Sequence, residues 1–253
     1  MYSRISVQKS FRRWWTRERS AGLLAAPRKL AGVVCEFLRE SLPEHKRRRY
    51  GDMDYDWALR VDTTSATVGW RTRLLGLLHS PYQPIDPALF HEMLAALEVD
   101  FRQYTFIDVG SGKGRALLLA MEYPFRKILG VELLPELNQI AQENICKLSG
   151  PGRGHEVVEA ICADATEFSF PPDPLVVLLF NPLPETGLRK LMRNLERSLR
   201  GHPRPVHVMY TNPVFQDIVG NTPLLTKVAE THQFAIFRTT PAEEVKSWNF
   251  SDS

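Results

Sequence analysis

The segment 106–115, with the sequence FIDVGSGKGR, constrains the fold of this chain more than any other stretch. A short apolar run ends at Asp108, glycines follow at the alternate positions Gly110, Gly112 and Gly114, and an apolar helix then begins. Glycine adopts left-handed backbone at no steric cost, and its missing Cβ lets another molecule approach the main chain closely. A strand, a tight turn and a helix in this order predict a site for a nucleotide-like ligand.

Two acids follow the glycine turn at the ends of further apolar runs. Glu132 closes the run 128–131, and Asp164 comes after a third run. At the end of a second strand, Glu132 is placed to accept hydrogen bonds from the hydroxyls of a ribose. The glycine turn and the acid after the second strand together predict a cofactor site.

The spacing of the glycines separates two classes of cofactor. A dinucleotide-binding turn has the pattern G-x-G-x-x-G, and its third glycine lets the helix pack on the strand. Here that third position is Arg115, which disfavours a nicotinamide-dependent dehydrogenase. The D-x-G-x-G-x-G pattern of residues 108–114 resembles the first motif of class I S-adenosylmethionine-dependent methyltransferases, and the resemblance covers about residues 80–240.

The resemblance implies a set of cofactor contacts. In that family the glycine turn faces the methionine part of the cofactor, the acid after the second strand binds the ribose, and the acid after the third meets the adenine amino group. We expect the side chains of Lys113 and Arg115 to be solvated or to reach the cofactor carboxylate, which backbone N–H groups at a helix start also bind. The cofactor-binding residues implied in this way are Asp108, Gly110, Ser111, Gly112, Gly114, Glu132, Asp164 and Asn181.

Strands and helices alternate from residue 104 onward, which predicts an α/β fold. The resemblance specifies it as a Rossmann-like, seven-stranded methyltransferase sheet, mostly parallel with an antiparallel hairpin at its edge. Predicted strands lie near 104–109, 127–132, 156–162, 175–180, 206–211, 224–229 and 233–238. Predicted helices lie near 88–97, 113–123, 135–147, 185–199 and 213–219.

The basic residues are concentrated at the start of the chain. Residues 1–50 hold 13 Lys and Arg against 4 Asp and Glu, although the whole chain of 253 residues carries a net charge of only +3. We predict a basic helical N-terminal extension at 1–50, a connecting or cofactor-lid region at 51–100, and a methyltransferase core at 101–253. The extension either caps the domain, binds nucleic acid through interleaved cations and aromatic rings, or contacts an anionic membrane or a protein partner.

The cysteine pattern predicts neither a metal site nor disulfides. Cys35, Cys146 and Cys162 form no C-x-x-C pair and have no histidine at ligand spacing, so we expect reduced thiols and a cytoplasmic location. No run of about 18 apolar residues is present, so no transmembrane segment is expected. The early apolar stretch 23–26 is cut short by Pro27, which argues against a secretory signal.

The fourth predicted strand ends in residues that suggest the methyl acceptor. Asn181-Pro182 stands where amino-group methyltransferases carry an Asn/Asp-Pro-Pro-aromatic signature, in which the amide and a backbone carbonyl hold the target amine. The chain continues with Leu183 and lacks the second proline and the aromatic, which weakens a nucleic-acid adenine as target. Asn181 is therefore the first candidate for orienting an amine. Tyr210 and Asn212 follow, although Asn212 is also explained by an Asx-turn.

Tyr82-Gln83-Pro84, just before a predicted helix, is similar to a segment of non-SET protein lysine methyltransferases that closes over the methionine end of the cofactor. Those proteins typically carry threonine where this chain has Ile85. The catalytic candidates are thus Asn181 and Tyr82, with packing as the alternative for Tyr82. The resemblance implies N-methylation of an amine such as a protein lysine. An RNA or DNA methyltransferase guided by residues 1–50 and a non-catalytic S-adenosylmethionine-binding protein are the alternatives.

Overall fold

The computed structural model describes residues 11–12, 14–16, 27–32, 34–35, 53–64, 68, 82–149, 157–181 and 183–240. The described residues of the predicted basic extension are helical. The rest of that extension and Pro182 lie outside the described residues. The division of the chain into these three regions stays a prediction.

The predicted positions of the seven strands are confirmed to within two residues. They are β1 Thr105–Val109, β2 Lys127–Glu132, β3 Val158–Cys162, β4 Leu175–Phe180, β5 Val206–Thr211, β6 Leu225–Glu230 and β7 Phe234–Thr239. The helices are α1 Met53–Leu59, α2 Pro87–Ala95, α3 Arg115–Ala120, α4 Pro135–Ser149, α5 Glu185–Gly201 and α6 Gln216–Gly220. Short 3-10 turns lie at Phe101–Gln103 and Ala165–Glu167.

The strands form one sheet in the order β3-β2-β1-β4-β5-β7-β6. Pairs among the first five strands are parallel, whereas β7 is antiparallel to both β5 and β6. This is the Rossmann-like methyltransferase sheet that we predicted, and β7 alone among its strands runs against the others. The strand order reverses between β1 and β4, and open α/β sheets place their ligands outside the carboxyl ends of the strands at such a point.

Helices cover both faces of the sheet. Helices α2, α3 and α4 pack on one face, where they contribute Phe90, Leu117 and Ile145 to a first buried cluster. Helices α5 and α6 pack on the other face, where they contribute Leu188 and Ile218 to a second buried cluster. Strands buried on both faces need continuous apolar sequence, which explains why the β4 sequence LVVLLF was recognisable. The region before β1 therefore packs into the same domain through α2.

Two helices begin later than predicted because residues with left-handed backbone precede them. Gly114, the N-cap of α3, has a φ of 85°, so the helix begins at Arg115 rather than at 113. Asn212 has a φ of 47°, and the Val214 N–H bonds to the Asn212 carbonyl, so α6 begins only at Gln216. Both turns lie at the carboxyl edge of the sheet, and in each the left-handed residue sets where the following helix begins.

The packing of α5 generates a stability prediction. Leu195 is buried against the second cluster, so Leu195→Ala should lower the free energy of unfolding by about 2–5 kcal/mol through lost contacts and a residual cavity. The exposed Arg193 on the same helix offers a matched control. Arg193→Ala should stay within about 0.5 kcal/mol of the wild type. Urea denaturation followed by circular dichroism measures both, and similar small losses would contradict this packing of α5.

Candidate functional site

The glycine turn between β1 and α3 is bare backbone in left-handed conformation. Gly110, Gly112 and Gly114 have φ values of 78°, 54° and 85°, a region in which a Cβ would be strained. The N–H groups of Gly110 and Ser111 donate to the Val131 carbonyl at 2.8 and 3.2 Å. These bonds fix the turn against the end of β2, so that the two strand ends form a single surface.

Glu132 is buried at the end of β2 and is bound to that turn. Its Oε2 accepts from the Gly112 N–H at 2.8 Å, and its Oε1 accepts from the Leu134 N–H at 2.7 Å. Burial raises the pKa of Glu132, and these backbone donors oppose the shift. Since each carboxylate oxygen can accept more than one hydrogen bond, Glu132 is held in a fixed orientation with acceptor capacity left over.

Asp108, the acid that opens the motif, is buried near a second acid. Burial, followed by the charge of Glu132, raises the pKa of Asp108 to about 7. A positively charged group placed beside the Asp108 carboxyl would favour its ionised form.

The Ser111 side chain faces the sheet. Its hydroxyl is buried and has no hydrogen-bond partner among the described residues. A Cβ placed on Gly130 would lie 2.7 Å from this oxygen and 2.6 Å from Leu117 Cδ1. Gly130 is thus required for close packing of the turn and α3 on β2, and a contact of Ser111 with a cofactor stays a prediction.

Asp164 lies at the exit of β3, beside the exit of β2. The Ala163 N–H donates to the Glu132 carbonyl at 3.0 Å, which brings the two strand ends together. Asp164 is exposed, and its Oδ1 caps the following 3-10 turn by accepting from the Thr166 N–H at 2.8 Å. The structure therefore brings Asp164 to the same edge as Glu132, and its adenine contact stays a prediction.

Tyr82 lies directly on the glycine turn. A Cβ on Gly112 would lie 2.2 Å from Tyr82 Cε2, so only glycine allows the ring this close. The Tyr82 hydroxyl donates to the Thr63 carbonyl at 2.5 Å. Burial raises the pKa of Tyr82 well above its ordinary value, so its hydroxyl is protonated at neutral pH. Tyr82 forms a wall of the turn and is poorly suited to act as a base.

The expectation that the side chains of Lys113 and Arg115 are solvated is wrong. Lys113 is 0% exposed and Arg115 is 2% exposed. Lys113 Nζ bonds to Asp62 Oδ1 at 2.7 Å, and Arg115 Nη2 bonds to Asp56 Oδ1 at 3.3 Å. Both cations neutralise acids of the 53–64 segment, and sequence reasoning missed Asp56 because nothing local to it indicates a position beside the turn.

The exits of β4 and β5 carry the candidates for orienting a substrate. Asn181 and Asn212 have φ values of 43° and 47°, a left-handed conformation that asparagine tolerates better than most residues other than glycine. The Tyr210 hydroxyl donates to Asn181 Oδ1 at 3.1 Å and accepts from the Phe215 N–H at 3.3 Å. Asn212 is exposed, and its N–H donates to the Gln233 carbonyl. The structure thus joins Asn181 to Tyr210 and gives Asn212 a turn-forming role.

Two further observations concern the described part of the chain only. No helix there is long and apolar enough to cross a membrane. No group of three or more His, Cys, Asp or Glu side chains there is arranged to hold a metal ion.

No protein-family profile and no curated protein matches this sequence. Several solved structures are similar. An RNA methyltransferase from Salinibacter ruber, in complex with S-adenosyl-L-homocysteine, is 22% identical with a TM-score of 0.41, over 62% of this chain and 93% of that one. A SAM-dependent methyltransferase from Aquifex aeolicus is 15% identical with a TM-score of 0.45, over 61% and 98% of the two chains.

The buried Asp108 generates a prediction about pH. Its folded pKa of about 7 lies above the ordinary value of 3.8, so the folded state binds this proton more tightly than the unfolded state. The resulting stability is present below about pH 4 and is lost as the pH rises through 7. Between pH 5 and pH 8 the free energy of unfolding should fall by on the order of 2 kcal/mol from this group.

Asp108→Asn isolates this contribution because asparagine keeps the shape and stays neutral. Urea denaturation at pH 5 and pH 8 should show a flatter pH dependence than in the wild type. Glu167→Gln, which changes an exposed acid, should keep the wild-type dependence. The same pH dependence in Asp108→Asn as in the wild type would contradict the assignment.

Proposed function

We propose that this chain is a class I S-adenosylmethionine-dependent methyltransferase that methylates an amine. The observation that carries the proposal is the turn of three left-handed glycines tied through the Gly112 N–H to the buried Glu132. A turn of bare backbone lets a ligand lie against the main chain, and an acid with spare acceptor capacity at the end of the next strand suits vicinal hydroxyls.

The residues at the sheet edge fit this cofactor part by part. Glu132 would accept from the ribose hydroxyls, and Asp164 at the exit of β3 would face the adenine. Asp108 would lie near the methionine end, where the positive charge of an ammonium or sulfonium group would favour its ionised form. When bound, the cofactor supplies a methyl group activated by a positively charged sulfur.

The contribution of the protein to transfer is alignment and exclusion of water. Tyr210 donates to Asn181 Oδ1, which fixes the plane of the amide. The Asn181 amide would accept from the N–H of an acceptor amine, so that the nitrogen lone pair of that amine points toward the methyl carbon. Asn181 is therefore the substrate-orienting residue, and Tyr210 holds it in position.

The acceptor that we favour is an amine of a protein, such as a lysine. The Tyr82-Gln83-Pro84 segment resembles protein lysine methyltransferases, and the chain lacks the aromatic after Asn181 that stacks on a flipped base. RNA or DNA is the second candidate, supported by the 13 Lys and Arg of residues 1–50. A non-catalytic S-adenosylmethionine-binding protein is the third candidate. For each candidate we propose a cytoplasmic location.

The test is transfer of label from radioactive S-adenosylmethionine to a cell lysate, with parallel portions treated with protease or nuclease. Label in a protease-sensitive band supports a protein acceptor. Label lost with nuclease supports the second candidate and overturns the first. Binding without transfer to any macromolecule or small molecule of the lysate leaves only the non-catalytic protein.

Glu132→Ala should weaken cofactor binding by roughly 1–3 kcal/mol, because the ribose hydroxyls lose their acceptors. Isothermal calorimetry measures the change, with circular dichroism to establish that the variant is folded. Glu159→Ala removes an exposed acid from the neighbouring strand β3 and should bind normally. Unchanged affinity in a folded Glu132→Ala variant would overturn the ribose assignment.

Asn181→Gly should reduce the rate of transfer by about a hundredfold or more and change cofactor affinity much less, because its main effect is on the alignment of the acceptor amine. Glycine suits the φ of 43°, so the substitution removes the side chain without straining the backbone. Asn212→Gly is the matched variant at the neighbouring strand end. Near-normal transfer by Asn181→Gly, with loss of transfer in Asn212→Gly, would assign the orienting role to Asn212.

A further inference from the structure

The segment that follows α1 is organised around one buried carboxylate. Asp56 Oδ2 accepts from the N–H groups of Thr63 and Thr64, each at 2.7 Å, and Asp56 Oδ1 accepts from the Thr63 hydroxyl. All three residues are buried. A carboxylate removed from water in this way is stable only when a cation balances its charge.

The balancing cation comes from the glycine motif itself. Arg115 Nη2 bonds to Asp56 Oδ1 at 3.3 Å, and Arg115 Nε donates to the Thr63 hydroxyl at 2.7 Å. The guanidinium carbon also lies 4.8 Å from the centroid of the Tyr55 ring. Arg115, the first residue of α3, therefore binds both Asp56 in α1 and Thr63 in the segment that follows α1. These bonds explain why a large cation stands at a position where close helix packing alone would favour glycine.

A second set of bonds joins the same loop to the turn. Lys113 Nζ donates to Asp62 Oδ1 at 2.7 Å and to the Thr64 carbonyl at 2.9 Å. Asn144 Nδ2, from α4, donates to the carbonyls of Asp62 and Lys113 at 2.8 and 3.0 Å. Residues 62–64 are thus held by Lys113 of the glycine turn and by Asn144 of α4.

The loop reaches the cofactor site through Tyr82. The Thr63 carbonyl accepts from the Tyr82 hydroxyl, the Tyr82 ring lies on Gly112, and the Gly112 N–H bonds to Glu132. A continuous series of contacts therefore joins Arg115 to the acid that we assign to the ribose.

We propose that Asp56, Thr63 and Arg115 form a latch that sets cofactor affinity by holding Tyr82 against the glycine turn. The three are positioning residues, since they act on the ligand through Tyr82 and Gly112. This proposal depends on the proposed function only for the identity of the ligand, S-adenosylmethionine. A purely structural role for the same residues would change global stability and leave the turn and its affinity as they are.

Thr63→Val removes the hydroxyl between Asp56 and Arg115 at constant side-chain shape, and Thr63→Ser is its matched control because serine keeps the hydroxyl. Calorimetry with S-adenosylmethionine and with S-adenosylhomocysteine gives the dissociation constants. Hydrogen exchange reports the opening of the amides of residues 110–114. Leu195→Ala, in the other buried cluster, is the control for a general loss of stability.

We expect Thr63→Val to raise both dissociation constants by about tenfold, within the range for residues that couple to a site without touching its ligand. Its turn amides should also exchange faster than those of Leu195→Ala. Thr63→Ser should behave like the wild type in both measurements. Leu195→Ala should unfold more easily and keep the wild-type affinity.

Tyr82→Phe tests the same latch at its other end by removing a single hydroxyl while the ring stays on Gly112. It should weaken binding by about threefold and speed exchange of the turn. This variant decides the question where Thr63→Val fails to fold.

Wild-type affinity and exchange in the folded variants would overturn the latch, and binding by the wild type would still support the proposed function. If the wild type binds neither S-adenosylmethionine nor S-adenosylhomocysteine, the proposed function fails. Exchange of residues 110–114 then decides the latch alone: faster exchange in Thr63→Val than in Leu195→Ala supports it, and equal exchange overturns it.

Discussion

The hydrogen bond from the Gly112 N–H to the Glu132 carboxylate is the contact on which the site depends. It joins the turn after β1 to the end of β2, and the left-handed backbone and missing side chain of Gly112 leave room for the Tyr82 ring on the same turn. A backbone donor orients an acid more rigidly than a long side chain does, because the sheet fixes its position. The acceptors offered to a ligand are therefore set by the fold itself.

The sequence was most informative where the structural cause is local. The central strands were predicted closely because a strand buried on both faces must be largely apolar, and β4 is apolar over all six of its residues. Helix starts were less accurate where loop geometry decides them. Gly114 and Asn212 take left-handed φ at the strand exits, and hydrophobic periodicity carries no information about such turns.

The partners of Lys113 and Arg115 could not be predicted from local pattern. Asp56 and Arg115 are 59 positions apart in the sequence, and the loop that brings them together is polar, as solvated loops also are. One signal was available: a large cation at a position where helix packing favours a small residue needs a buried acid to balance it. That signal gives the charge of the partner and leaves its place in the chain open.

The acids of the turn also bear on the order of events under the proposed function. Burial, and to a smaller extent the charge of Glu132, raises the pKa of Asp108 to about 7, and a cation nearby would favour its ionised form. Transfer of the methyl group converts a positively charged sulfur into a neutral one. Under the proposed function, Asp108 would therefore interact more favourably with the positively charged ligand than with the product. This difference would favour release of the product.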